Sequence, residues 1–288
     1  MKTKFLFTPA LCIALCLAAV PVWAQDAPHP KDDHDDQVSI VQISDTHLGD
    51  HHAPHAAENL KQVVKMINDR HADAVILSGD IGENPQAWDQ ARSILKKLDA
   101  PLYYVPGNHD VHSKDVDRYR KVFGKDYYEF QVKFVRFVVI DSELLGNYDV
   151  YDAKSPRPLP PETEGESERM LSWLNGLAEE SRTAKQVVIG VQHIPVFHDG
   201  KFPDPKPYWV ISEPYRSKEM KALRELGIND MLVGHWHNGR VFEREGITWH
   251  VAPSTAWLPW GGELGFAVHT ISRDGKIRTQ FEDSLGDR

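Results

Sequence analysis

The sequence predicts an α/β fold, and three observations carry the prediction. Short apolar runs bounded by Gly, Pro or Asp (Val38 to Ser44, Ala74 to Ser78, Leu102 to Val105) read as buried strands. Between them lie segments of helical period and helical length, which makes the connections βαβ crossovers and the sheet parallel. Beyond residue 240 the helical signals stop, and short runs follow one another as antiparallel strands closing a second sheet.

Taken in order, the strand at Val38 to Ser44 is followed by a loop holding His47, His51, His52 and His55, then by a helix over about Ala56 to Asp69. There Leu60, Val63, Val64 and Ile67 recur at helical spacing and form one apolar face. A second helix follows Ala74 to Ser78 and runs from about Pro85, well placed in a first turn, to Leu98. After Leu102 to Val105 come a short helix near Lys114 to Phe123 and a β-hairpin of Tyr127 to Gln131 with Val135 to Asp141. A Pro-rich connection, Ser142 to Pro161, leads to a helix that the Thr163/Glu166 pair opens as a capping box and that ends near Glu180. The strand Gln186 to Gln192 is followed by a second long loop, Pro195 to Pro214, and a helix near Ser217 to Leu226. Asp230 to Val233 is the next strand, and Arg240 to Glu243, Thr248 to Ala252, Gly265 to Ser272 and Lys276 to Phe281 complete the chain. Connections as long as the two Pro-rich loops are more often functional than structural.

The 288 residues, 41% hydrophobic and 26% charged, suit one large soluble domain. Lys2 and Lys4, the apolar stretch Phe5 to Val20, and Val22-Trp23-Ala24 have the order of a secretory signal and are too short for a good membrane span. The expected division is therefore a signal peptide over 1–24, a disordered Asp/His-rich tail over 25–36, and one domain over 37–288, secreted or periplasmic. The tail reads as a solvated arm, with metal gathering as the sharper alternative. Cys12 and Cys16 both fall in the leader, so the remainder needs no disulfide, and bulky Leu15 disfavours lipid anchoring through Cys16. Loss of Lys2 and Lys4 takes the formal charge from -9 to -11, which argues against nucleic acid and anionic membranes as partners.

Five of the apolar runs end in side chains that can bind metals. Val38 to Ser44 leads to Asp45 and His47, Ala74 to Gly79 leads to Asp80, and Tyr103 to Gly107 leads to Asn108, His109 and Asp110. Gln186 to Gln192 leads to His193, and Asp230 to Gly234 leads to His235 and His237. Singly, Asp80 fits a turn or cap, Asn108 an Asx turn, and His193 a hydrogen-bonded core histidine. Jointly they do not, because ligands in open α/β sheets gather beyond the carboxyl ends of the strands.

The blocks Asp45-Thr46-His47, Gly79-Asp80, Gly107-Asn108-His109-Asp110, His193 and Gly234-His235-Trp236-His237 resemble those of the calcineurin-like metallophosphoesterases in order and spacing, over about residues 38 to 240. The resemblance implies a four-layer α-β-β-α sandwich of two mixed β-sheets flanked by helices, with a dinuclear metal centre at the strand ends. It implies that Asp45, His47 and His237 hold one ion, that Asn108, His193 and His235 hold the other, and that Asp80 bridges them. Imidazole and carboxylate donors suit two divalent Mn, Zn or Fe ions. Such a pair, roughly 3.5–4 Å apart, holds a phosphoryl group, activates water or hydroxide as nucleophile and stabilises an in-line displacement. His109 is the expected general acid toward the leaving alkoxide, with Asp110 or another carboxylate orienting its ring; a passive hydrogen bond to phosphate is the alternative.

Departures from better-known branches narrow the expectation. Purple acid phosphatases place a metal-bound tyrosine three residues after the bridging aspartate, where this chain has Glu83. Calcineurin-type protein phosphatases carry Asp-Arg-Gly after the second block and a glutamate after the Asn-His pair, where this chain reads Gly82-Glu83-Asn84 and Asp110. The remainder is similar to the bacterial small-substrate branch, which includes class III cyclic-nucleotide phosphodiesterases, and more loosely to a eukaryotic cytosolic phosphatase domain. The expected substrate is a small phosphomonoester or phosphodiester. A cyclic nucleotide specifically is the nearer alternative, and a non-catalytic secreted metal-binding protein is the one from a different class. Trp249, Trp257 and Trp260 serve equally well as stacking surface or as core, and Arg157, Lys201, Arg216 and Arg240 are candidate phosphate contacts.

Overall fold

The computed structural model describes residues 36–111, 116–181, 186–204 and 206–284. They lie in one compact unit, and the expected leader and the tail up to residue 35 fall outside the described residues. Strands β1 (Gln37–Ile43), β2 (Ala74–Ser78) and β3 (Leu102–Val105) are parallel neighbours, joined by helices α1 (Ala56–Asn68) and α2 (Pro85–Leu95). The turn α3 (Asn108–Val111) and helix α4 (Val116–Phe123) precede a hairpin of β4 (Tyr128–Val132) and β5 (Val135–Val139). Then follow α5 (Pro161–Ser181), β6 (Val187–Val191), α6 (Tyr215–Leu226), β7 (Asp230–Val233), β8 (Arg240–Arg244), β9 (Ile247–Val251), β10 (Gly265–Ser272) and β11 (Ile277–Asp283).

Two mixed sheets result, ordered β11-β10-β1-β2-β3 and β4-β5-β6-β7-β9-β8. The period of two sorts the strand residues between two faces. In β1, Val38 and Ile40 pack between the sheets with Ile76, Phe137, Val139, Ile189, Val191 and Leu232. Val41 and Ile43 face the other way, onto Leu60, Val63, Val64 and Ile67 of α1 and Trp88 of α2. The second sheet turns Val138, Met231 and Trp249 outward onto Met170, Leu174, Leu223 and Leu226 of α5 and α6. The layers are thus helix, sheet, sheet, helix.

The expected four layers stand, with two corrections. The last four strands do not close one sheet: β8 and β9 extend the second, while β10 and β11 extend the first beside β1. Alternating apolarity fixes which face of a strand is buried but not which edge it joins. Helix α5 starts at Pro161, so Thr163 is its third residue instead of its cap, and proline supplies the ready-made first-turn φ. Glu166 instead meets Arg120 and Arg169.

Candidate metal centre

Every expected ligand lies just past a strand end: Asp45, Asp80, His193 and His235 follow Ile43, Ser78, Val191 and Val233 by two residues, and Asn108 opens the α3 turn beyond Val105. Because β1, β2 and β3 belong to one sheet and β6 and β7 to the other, the ligands converge across the junction of two sheets. Asp45, His47, Asp80, His235 and His237 all have positive φ, between 40° and 70°. Non-glycine residues hold that conformation at a cost of about 1–3 kcal/mol each, and such strain gathers at functional sites. The kinks let residues two apart turn toward one place while the residue between points inward. Thr46 donates to Ile81 O at 2.8 Å, and fully buried Trp236 donates to Trp209 O at 2.9 Å.

Two glycines allow the sheet tips to touch. A Cβ on Gly79, at φ 95°, would lie 2.4 Å from His193 Nδ1, and one on Gly234 would lie 2.1 Å from Ser44 Oγ.

The donors form two sets that share one residue. Ligating atoms of Asp45, His47, Asp80 and His237 lie within 4.8 Å of one another, as do those of Asp80, His193 and His235. Asp80 Oδ2 sits 3.5 Å from His47 Nε2 of the first set and 3.1 Å from His193 Nε2 of the second. Its Oδ1 accepts the His109 amide at 2.9 Å. Asn108 donates through Nδ2 to Tyr208 at 2.8 Å, and its Oδ1 is buried without a hydrogen-bond partner among the described residues.

The hydrogen bonds around the rings decide which nitrogen carries a lone pair. His193 Nδ1 donates to Ser78 O at 2.7 Å, His237 Nδ1 to Trp257 O at 3.0 Å, and His47 Nδ1 to Glu83 Oε1 at 3.0 Å. A carbonyl or carboxylate can only accept, so in each neutral ring Nε2 is the bare nitrogen. His47 Nε2 and His237 Nε2 then face each other at 3.1 Å, lone pair to lone pair, with Asp45 Oδ1 3.3 Å from the latter. His235 is turned over: its Nε2 donates to Tyr208 O at 2.9 Å, which presents Nδ1. Asp45 Oδ1, Asn108 Oδ1 and His193 Nε2 are buried with no hydrogen bond among the described residues. Converging acceptors with nothing to accept from are relieved by protons or by cations, and imidazole, amide and carboxylate donors in two sets around one shared carboxylate fit a pair of divalent ions.

The proton affinities express the same field. Burial resists charge on His193, yet the carboxylates of Asp80 and Asp45 push it up to about 10, so without ions its Nε2 holds a proton in the place a cation would take. Burial opposes the Asp80 carboxylate too, but His193 and His109 hold it well below the ordinary range. Burial lowers His235 and His237 strongly, which keeps them as neutral donors.

His109 borders the same pocket, and Glu83 is the carboxylate that holds its ring, with Oε2 2.8 Å from Nδ1. Against desolvation, Asp80 and Glu83 raise His109 to about 9, while the two histidines it binds bring half-buried Glu83 down to about 2. Of the two expected options, Asp110 or another carboxylate, the second holds, and Asp110 turns away from the ring. Its oxygens accept the amides of Ile81 at 2.9 Å, Gly107 at 3.0 Å and Gly82 at 3.3 Å, tying the Asp80 and Asn108 loops together, and burial beside Asp80 lifts it to about 7. Two partners escaped the sequence reading. Glu83 entered it as a departure from the tyrosine and arginine of other branches, and Tyr208, which accepts from Asn108 and receives His235, lies in a loop with no period to read.

The other candidates divide. Trp249 is core, whereas Trp257 and Trp260 line the pocket at the donors. No Lys or Arg among the described residues lines it: Arg240 is paired with Asp199 at 2.7 Å, Arg216 donates to Ile211 O, Lys201 is exposed, and Arg157 borders a neighbouring cavity.

Known proteins share this fold. A zebrafish (Danio rerio) dimetal phosphatase superposes with a TM-score of 0.63 at 16% identity, covering 87% of this chain and 98% of that one, which establishes the shared fold. The serine/threonine-protein phosphatase CPPED1 of Mus musculus is 27% identical over 175 residues, 56% of this chain and 52% of its own, so the chain spans about half the length of that relative. A "Probable cyclic nucleotide phosphodiesterase" of Ruthia magnifica is 26% identical over 252 residues, covering 83% of this chain and 95% of its own. The sequence profile of the calcineurin-like phosphoesterases matches residues 38–239, and the chain is a member of that family of hydrolases.

Proposed function

We propose that this protein is a metal-dependent phosphoesterase that hydrolyses a small phosphomonoester or phosphodiester at a dinuclear centre. The observation that carries the reading is the pair of donor sets sharing Asp80, with their bare acceptors turned together beside His109. When bound, two divalent ions supply Lewis-acid activation and compensate charge on the phosphoryl group. The chain supplies the rest. Asp45, His47, Asp80 and His237 would hold one ion and Asp80, Asn108, His193 and His235 the other, each imidazole fixed by the hydrogen bond at its other nitrogen.

His109 is the acid. With Nδ1 committed to Glu83, the proton it delivers to a leaving alkoxide is the one on Nε2, and its affinity near 9 keeps the ring charged at neutral pH. Glu83 stays ionised across the working range and joins the acid to a metal ligand, because its other oxygen holds His47. Asp110 acts one step back, fixing the backbone on which Asp80 and Asn108 stand.

A cyclic-nucleotide substrate is the second reading, favoured by the near full-length likeness to the Ruthia magnifica protein. The export leader read at residues 1–24 supports a secreted or periplasmic location. Among the described residues no helix is long and apolar enough to cross a membrane. The test is a panel of aryl monoester, aryl diester and cyclic nucleotides, assayed on chelated protein reloaded with Mn, Zn or Fe. Turnover that vanishes on chelation and returns with one of these metals is the expected result; turnover indifferent to chelation contradicts it.

A further inference from the structure

The pocket over the donors has a floor of metal-type ligands and walls made almost wholly of rings. Tyr208, Trp209, Tyr151 and Trp260 form one contiguous cluster of rings, and Trp257 and Pro259 complete the lining. The cluster and Trp257 are each anchored on a different ligand. Trp209 lies 4.9 Å from the His235 ring, and Trp257 meets His237 edge-on at 4.9 Å while its backbone carbonyl holds that ring's Nδ1. At the rim Trp260 packs against Trp209 at 4.9 Å and Tyr151 against Trp209 at 5.8 Å, yet they remain 37% and 44% exposed, two of the few large apolar side chains left open to water. The space over the donors is about 140 Å³ and opens to water at the rim, so the phosphoryl group takes its floor and the organic group of an ester lies against the rings. The Trp257 indole N–H is buried without a partner among the described residues, a donor left for an acceptor atom on a ligand. The larger neighbouring cavity, about 400 Å³, shares Tyr208 but contains none of the donors, so the reacting centre does not belong there.

We infer that the site selects esters whose organic group carries a planar aromatic or heteroaromatic ring, held against Trp257 beside the donors or against the Tyr151–Trp209–Trp260 cluster at the rim. The inference rests on the phosphoesterase reading and names its substrate class. A polyol such as glycerol would bury hydroxyls against ring faces that offer few partners, whereas a flat ring gains stacking in either place. The two sources of such a ring are separated by depth. A ring on the ester oxygen itself, as in phenyl phosphate, meets Trp257 near the floor; a nucleobase held one sugar further out meets Trp260 and Tyr151 at the rim.

The experiment compares kcat/KM for phenyl phosphate, a nucleoside monophosphate and glycerol phosphate, in the wild type, Trp257→Leu and Trp260→Ala. Alongside it, quenching of tryptophan fluorescence gives the affinities of the non-hydrolysable phenylphosphonate and methylphosphonate. The wild type is expected to prefer the ring-bearing compounds roughly tenfold or more, the scale of one base stacked on an aromatic side chain. Trp257→Leu should erase the phenyl preference and Trp260→Ala the nucleotide preference. Glycerol phosphate turned over as well as the ring-bearing esters, or preferences that survive both substitutions, would overturn the inference. Tighter phenylphosphonate binding without turnover of any ester, after metal reloading, would sink the phosphoesterase reading and keep the ring selectivity. Equal affinity for the two phosphonates would remove the selectivity whatever the turnover.

Discussion

Two groups of buried histidines lie within the same pair of sheets and differ in how their nitrogens are satisfied. At the strand tips, His47, His193, His235 and His237 each spend one nitrogen on a carbonyl or carboxylate and turn the other toward acceptors. Between the sheets, at the β7–β9 and β10–β11 edge, His250 and His269 are as deeply buried but spend both. Asp230 meets His250 Nε2 at 3.0 Å, Thr279 Oγ1 bonds His250 Nδ1 at 2.7 Å and His269 Nδ1 at 2.9 Å, and His269 Nε2 donates to Gln42 Oε1 at 3.0 Å. Gln42 continues the ladder to Ser78 Oγ and Val233 O, pinning the first sheet to the second just behind the ligands. Burial of an imidazole beside a carboxylate therefore does not mark a metal ligand. The nitrogen left without a donor does, and it separates a site from a structural ladder.

The comparison can be broken from either side. The largest effect is expected for Asp80→Asn, which removes the one anion common to both donor sets. Activity should fall well beyond the ~10²-fold typical of losing an outer-shell partner, and metal analysis should find fewer than two ions per chain. His109→Ala comes next: kcat should drop by about 10²–10⁴-fold with both ions retained, which a non-catalytic metal binder, having no turnover to lose, cannot show. The acid must be protonated to act, so the wild-type rate should fall as pH rises past about 9, and a pH–rate profile of the variant should lack that limb. Glu83→Gln sharpens the same point. Without the carboxylate His109 loses its proton at lower pH, so the alkaline limb should move toward neutrality while activity falls about 10–100-fold.

The smallest effect on chemistry is expected in the ladder. His269→Leu strands Gln42 and Thr279, which should cost about 1–3 kcal/mol of stability in a denaturant titration. Its metal content should stay at the wild-type level, and a loss of metal equal to that of Asp80→Asn would erase the distinction between the two regions.

Much of this was legible from residue order because the relevant signals are local. Apolar runs of strand length, α1 with its face of Leu60, Val63, Val64 and Ile67, and ligands immediately after strands need no knowledge of distant contacts. What stayed hidden depends on pairing between remote segments. Nothing in β10 tells it to join β1 across 227 residues, and His269 has meaning only once it meets Gln42 there. Asp110 adjoins His109 in sequence while Glu83 lies 26 residues away, and only the turn of α3 sends Asp110 back to the amides of Ile81 and Gly107 and leaves the ring to Glu83.

The most direct measurement is an anomalous difference map from crystals grown with Mn²⁺. Two peaks roughly 3.5–4 Å apart on either side of Asp80, one against Asp45, His47 and His237 and the other against Asn108, His193 and His235, are the predicted result. A map with no peak there, or with a single peak away from Asp80 at the exposed Asp50-His51-His52 loop, would contradict it.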